Sequence, residues 1–233
     1  MPIIPPGVGA DFFIHYKTPF ATQDGQLPKS QLHFSLAHPT EILPARSIGF
    51  IAIRFRAGML KHFCAIPLNE LADAYPDAEA LWGKAGRQMM EQLNGTGDFN
   101  SRVTLLDQHL TALLHKQEKP AWHRVINELY YHPDALRLQD LANQTNLSYR
   151  HFRRRFIQET GMTPKHFQQL VRFRSTLKPL LMKKERHYLS DALDNGYFDQ
   201  MHFIKDCKRF LHVTPSEFLQ DKNFMSHFYY PTL

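Results

Sequence analysis

Two clusters of side chains in this 233-residue chain have types and spacings that could do chemistry, and in both the chemistry is non-covalent. The first is Tyr149, Arg150, Arg153 and Arg154, in Leu147-Ser148-Tyr149-Arg150-His151-Phe152-Arg153-Arg154-Arg155-Phe156. The second is Gln200, Met201 and Lys205, in Phe198-Asp199-Gln200-Met201-His202-Phe203-Ile204-Lys205-Asp206-Cys207. An arginine fork matches guanine O6 and N7 in a major groove, and it also fits phosphate oxygens. Glutamine suits adenine, methionine a thymine methyl, and lysine a phosphate or guanine. At 100° per residue, a helix from Tyr149 to about Gln158 puts Phe152 and Phe156 on one side. Arg150, Arg153 and Arg154 then lie around the other, with Tyr149 at the exposed N-terminal end. A solvated basic face would look similar, but Arg153-Arg154-Arg155 repel one another, which argues against a purely structural role. A second helix, from about Gln200 to Phe210, buries Phe203 and puts Cys207 where Phe156 stands. Cys207 reads as a small core residue rather than a nucleophile. Asp199 and Asp206 flank this second surface and leave it evenly balanced between base reading and a plain solvated face.

The two stretches are copies of one device. His151-Phe152 falls on His202-Phe203, and Thr163-Pro164 on Thr214-Pro215, at one offset of 51 residues. Upstream the offset drops by one, so Ala142 falls on Ala192 and Leu147 on Tyr197. This is an internal repeat of helix–turn–helix units. Ser148 caps the first reading helix through its side-chain oxygen. Each unit ends in threonine then proline, a capping hydroxyl before a first-turn proline. Thr214-Pro215-Ser216-Glu217 is a full capping box. Helix N-termini hold phosphate well, so Thr163, Lys165 and Thr214 are candidate backbone clamps, against the plain reading of helix initiation. A helix from about Lys165 to Met182 joins the units and carries Arg172, a further candidate phosphate contact, as well as Arg174 and Pro179.

The elements that must position these residues follow from the rest of the chain. Hydrophobic residues make up 43%, enough for a core. No apolar run approaches the roughly 18 residues of a membrane span, and the start lacks a signal-peptide pattern. Cys64 and Cys207 alone form no disulfide framework, so a reducing cytosol is the simplest setting. The net charge is +6; residues 1–119 carry 11 basic and 11 acidic groups, residues 120–233 carry 17 and 11. The whole excess therefore sits with the repeat, as expected where a polyanion is met.

Residues 1–119 read as a small antiparallel sheet followed by helices. Strands are expected at Phe12–Tyr16, Leu32–Leu36 and Ile48–Phe55. Asp77–Leu93 reads as one helix, and Asn100 or Ser101 caps the next. That helix carries Val103, Leu106, Leu110, Leu113 and Leu114 at helical period. The plain reading is packing onto the sheet; the sharper one is a helix pair that joins two subunits. Phe34, Phe50 and Phe55 are candidate pocket-lining residues for a ligand, and equally plain core. His115–Pro120 is the expected linker. Helices follow at Trp122–Tyr131 and Leu138–Thr145. The fold class is α+β: residues 1–119 form a β-rich sensor or dimerisation domain with C-terminal helices, 120–222 an all-α domain with two helix–turn–helix units, and 223–233 a tail.

Residues from about 122 to 220 resemble the DNA-binding domain of the arabinose-regulator (AraC/XylS) family of bacterial transcription factors. The matching stretches are Leu141-Ala142, Leu147-Ser148, His151–Phe156 and Glu159–Pro164, then Gly196-Tyr197, Asp199-Gln200, His202-Phe203 and Val213–Phe218. The resemblance implies seven helices and two reading helices in successive major-groove segments. It implies base contacts from Arg150, Arg153 and Arg154, then Gln200, Met201 and Lys205. Three positions depart from the family: His212 replaces a glycine, Asp191 an apolar residue, and Cys207 a phenylalanine. Gly49–Gly58 resembles part of the short cupin-like sensor domain of some members. The resemblance implies a transcription activator or repressor, with double-stranded DNA as partner. RNA polymerase, a small-molecule effector and a second copy of the chain are open to it as further partners. It implies a cytoplasmic protein, associated with the nucleoid when on DNA.

The competing reading is a degenerate relative that binds a protein without specific DNA binding, motivated by His212, Asp191 and the acidic residues of the second helix. An enzyme is not expected. The 14 histidines include His33 and His38 near strands, but no metal spacing, phosphate loop or nucleophile elbow occurs. No cofactor and no metal are expected.

Overall fold

The computed structural model describes residues 3–34, 38–43, 47–114, 120–134, 137–182 and 196–220. The expected linker residues 115–119, Asp191, Ala192 and the tail 223–233 lie outside them.

The N-terminal half is built on a three-stranded antiparallel sheet in the order β5-β2-β7, with β2 at Ala10–His15, β5 at Ser30–His33 and β7 at Phe50–Phe55. Short pairs flank it: β1 (Ile3–Ile4) with β6 (Thr40–Glu41), and β3 (Ala21–Thr22) with β4 (Gly25–Gln26). The expected strand at Leu32–Leu36 instead starts at Ser30 and ends at His33. Strand β5 is buried at every position. Helices cover one face and aromatic side chains the other. On the first, Trp82 meets Phe12 at 4.8 Å and Phe63 meets Phe55 at 5.1 Å. On the second, Phe20 lies 6.0 Å from Phe13 and 4.9 Å from Phe50.

Helix α1 spans Leu68–Leu71. The expected single helix at Asp77–Leu93 is two, α2 (Ala78–Trp82) and α3 (Lys84–Gly95). Gly83 makes the elbow at φ 57°, a conformation that costs glycine little. Gly86 lets the two helices close, because a Cβ there would run into the Ala78 carbonyl. Asp98, rather than Asn100 or Ser101, caps α4 (Phe99–Leu113) by accepting from Ser101 N–H. Helix α4 packs on α3 and buries Leu106 fully, Val103, Leu110 and Leu113 only in part.

The helical half contains α5 (Pro120–Tyr131), α6 (Leu138–Gln144), α7 (Tyr149–Thr160), α8 (Pro164–Met182), α9 (Gln200–Leu211) and α10 (Pro215–Phe218). It does not stand off from the sheet half. Helix α1 packs along α7, and His62 shares a 2.9 Å Nε2–Nε2 contact with His123 of α5. Lys61 pairs with the buried Glu159 of α7. One apolar core runs through both halves.

Candidate nucleic-acid interface

The first candidate reading surface is α7. Ser148 accepts from His151 N–H at its N-terminus, and Gly161 turns the chain at its end with φ 78°. Phe152 and Phe156 are fully buried, the first stacked on Trp122 at 5.7 Å, the second against Phe167 at 5.3 Å. That burial fixes the rotation of the helix. Arg150, His151, Arg153, Arg154 and Gln158 are consequently exposed, and Tyr149 is half-buried against Phe152. A concavity of about 440 Å³ runs along this face, lined by Arg150, Arg153 and Arg154 and by Asn69 of α1. Arg155, in contrast, is tied to Glu159 at 2.7 Å, so the arginine triplet is divided between the surface and an internal pair.

The second surface is α9. Asp199 caps it by accepting from His202 N–H at 2.7 Å. Phe203, Cys207 and Phe210 are buried, with Phe210 at 5.0 Å from Phe173 of α8. Gln200, Met201, Lys205, Lys208 and Arg209 are exposed. The acidity expected from the sequence is not on this surface. Asp206 is buried and accepts from the Tyr197 hydroxyl at 2.9 Å, and Asp199 serves as the cap. Burial and the Asp206 charge push the Tyr197 hydroxyl up, so it keeps its proton as donor. Burial pushes the Cys207 thiol up as well, which leaves it an inert core group.

Helix α8 holds the two surfaces apart. Its 19 residues span about 28 Å, with Pro179 in the last turns.

Three candidate phosphate contacts have partners within the chain, two of them as the expected helix caps. Arg172 donates to Asp134 through Nε at 3.2 Å and through its terminal nitrogen, and its side chain is 14% exposed. It fastens α8 to the turn after α5 and is not a free cation. Thr214 donates its N–H to Glu217 at 2.7 Å, and its hydroxyl serves the same capping box. The Glu217 carboxylate at that helix start repels a phosphate, so this clamp is a structural cap. Thr163 accepts from His166 N–H and likewise caps α8. Lys165 stays exposed and lines a groove of about 450 Å³ with Gln169 and Arg209. Arg209 and Lys208 were missed in the sequence; two basic residues in the last turn of α9 were the available signal.

The three candidate ligand aromatics do not converge. Phe55 faces the helices through Phe63, Phe50 faces Phe13, Phe20 and His15, and the Phe34 ring lies at Gly161 of the first unit. They form core and contact surface rather than one pocket. Among the described residues no group of three or more His, Cys, Asp or Glu could hold a metal, and no helix is long and apolar enough to cross a membrane.

Helices α6 and α7 form one helix–turn–helix unit, and α9 repeats the plan of α7 with its own cap and exposed face; the helix expected before α9 falls within residues 183–195, outside the described residues. Residues 141–221 match the family described as "Helix-turn-helix domain". Over 81 residues the chain is 33% identical to an uncharacterized HTH-type transcriptional regulator of Haemophilus influenzae, which covers 35% of this chain and 27% of that protein. The chain thus matches about a quarter of that relative's length. Among solved structures, a single-residue variant of ToxT from Vibrio cholerae in its apo form aligns at TM-score 0.49 and 12% identity, over 94% of this chain and 90% of that one. A second ToxT structure from Vibrio cholerae aligns at 0.46 and 12%, over 93% and 92%. The likeness to that helix–turn–helix family falls on the repeat region of this chain.

Proposed function

We propose that this chain is a DNA-binding regulator of transcription that lays α7 and α9 in successive major-groove segments of promoter DNA. The observation that carries this is the pair of exposed faces, on α7 and α9, on either side of helix α8, about 28 Å long. Tyr149, Arg150, Arg153 and Arg154 read from the first, Gln200, Met201 and Lys205 from the second, and Lys165 and Arg209 meet phosphate between them. The chain acts by binding and not by catalysis. Residues 1–119 act as the sensor or dimerisation part and 120–222 as the reading part. Half-buried Leu110 and Leu113, with Phe99 58% and Leu114 44% exposed, support a twofold helix pair through α4. RNA polymerase and a small-molecule effector remain its proposed further partners, and the cytoplasm its proposed place.

The protein-only alternative is not favoured, because Asp206 is turned inward to Tyr197 and Asp199 caps α9. The test is binding to duplexes selected from a random pool, across a salt series. Phosphate contacts make affinity fall steeply with salt. Arg154→Ala should cost about 1–3 kcal/mol on the selected site and relax one position. A selection that enriches no duplex contradicts the proposal.

A further inference from the structure

We propose that Phe198 is a further DNA-contacting residue, which with Met201 reads thymine methyl groups at the leading edge of the second reading helix. This rests on the reading of α9 given above. Phe198 is 88% exposed and Met201 60%. Phe198 stands directly before the cap Asp199, a position where an apolar residue commonly packs back onto the fourth helical residue. That residue is Phe203, and it is already covered: Tyr197 lies 5.3 Å away and Phe173 6.2 Å. Tyr197 has taken the packing role, and Phe198 is turned outward.

The first unit shows the contrast. Leu147 stands directly before the cap Ser148, as Phe198 does before Asp199, and it is half-buried and packed against the core. The same position is tucked in one unit and presented in the other. The N-terminal residues of a reading helix are the ones that reach base edges. A phenyl ring and a thioether offer nothing strong to a phosphate. The apolar feature on a major-groove edge is the thymine C5-methyl group. Lys205, Lys208 and Arg209, exposed further along the same helix, supply the attraction to phosphate that the apolar pair lacks. The second unit is therefore a reader of A·T pairs by methyl contact, beside a first unit built for guanine.

The test starts from a duplex selected from a random pool by the full chain. Each thymine is then replaced in turn by uracil, which keeps every hydrogen-bonding group and removes one methyl. Binding is measured for the unsubstituted chain, Phe198→Ala and Phe198→Leu, with circular dichroism as the folding check. Uracil at one or two positions of the second half-site should weaken the unsubstituted chain about fourfold each, the worth of one buried methyl. Phe198→Ala should ignore those replacements, and Phe198→Leu should fall between. A uracil scan without effect in the second half-site, or with equal effect on all three proteins, overturns the methyl contact and leaves the DNA-reading function standing. So does a Phe198→Ala protein that binds the duplex unchanged but loses a protein partner. Failure to select any duplex sinks the function itself, and this inference with it.

Discussion

The two units share one plan and anchor it differently. At the repeat offset, Phe156 and Glu159 of the first unit correspond to Cys207 and Phe210 of the second. All four are buried. The second unit has moved its aromatic bulk by three residues, which keeps it on the same helix face. Phe210 then packs on Phe173 of α8, and the smaller Cys207 leaves the core closed. The first unit uses the freed position for an acid. Glu159 takes Arg155 of its own helix and Lys61 from the sheet half. The first reading helix is thus tied by charge to the N-terminal half, and the second by packing to α8. A buried charge is held only by its partners, whereas a phenyl ring needs only shape.

The sharpest way to break this comparison is to empty the two second-unit positions. Phe210→Ala should cost about 3–5 kcal/mol in denaturant unfolding. Cys207→Ala should cost only about 1 kcal/mol. Equal costs would mean that the aromatic bulk has not moved. Lys61→Met probes the first unit's tie. It leaves Glu159 with Arg155 alone and should destabilise by about 2–3 kcal/mol, somewhat less than loss of a sole partner. Adding Glu159→Leu should recover most of that loss; a strictly additive double mutant argues against a coupled pair.

Acid offers a milder separation. Burial lowers the pKa of His33 to about 4, against the raising charges of Asp11 and Asp73. Burial also lowers His15. Between pH 6.5 and about 4 the unfolded chain takes up a proton at His33 that the folded chain refuses. Stability is therefore full above pH 6.5 and falls as pH falls through that window, by roughly 3 kcal/mol. Hydrogen exchange at pH 5 should show β2 and β5 loosening before α9. The smallest effect is at the helix ends. Gly161 ends α7 at φ 78°, and His212 ends α9 at φ 60°, where a side chain is strained. His212→Gly should stabilise by about 1 kcal/mol in thermal unfolding. No gain there would show that the His38 ring, 5.8 Å from His212, offsets the strain.

The repeat made most of the helical half legible. Its phenylalanines, caps and prolines recur at fixed spacing, and local rules decide them. The sheet half was less so, because the two-residue strands β1, β3, β4 and β6 carry too few residues to show a period. Gly83 looked like an interior helix residue, and only the approach of Gly86 to Ala78 shows why the chain breaks there. In the site, exposure of Arg150 and Arg154 followed from where the phenylalanines point. The fates of Arg172 and Asp206 did not, since Asp134 is 38 residues from Arg172, and Asp206 faces a tyrosine in the turn before its own helix.

If α7 and α9 read two groove segments on one face of the DNA, α8 sets the spacing between them. The most direct measurement is affinity for the selected duplex against the same duplex with five base pairs inserted between its half-sites. Five pairs turn the second half-site to the opposite face, and α8 cannot follow. The account predicts a loss of about a hundredfold, the equivalent of two mismatched pairs. Unchanged affinity for the inserted duplex would contradict it.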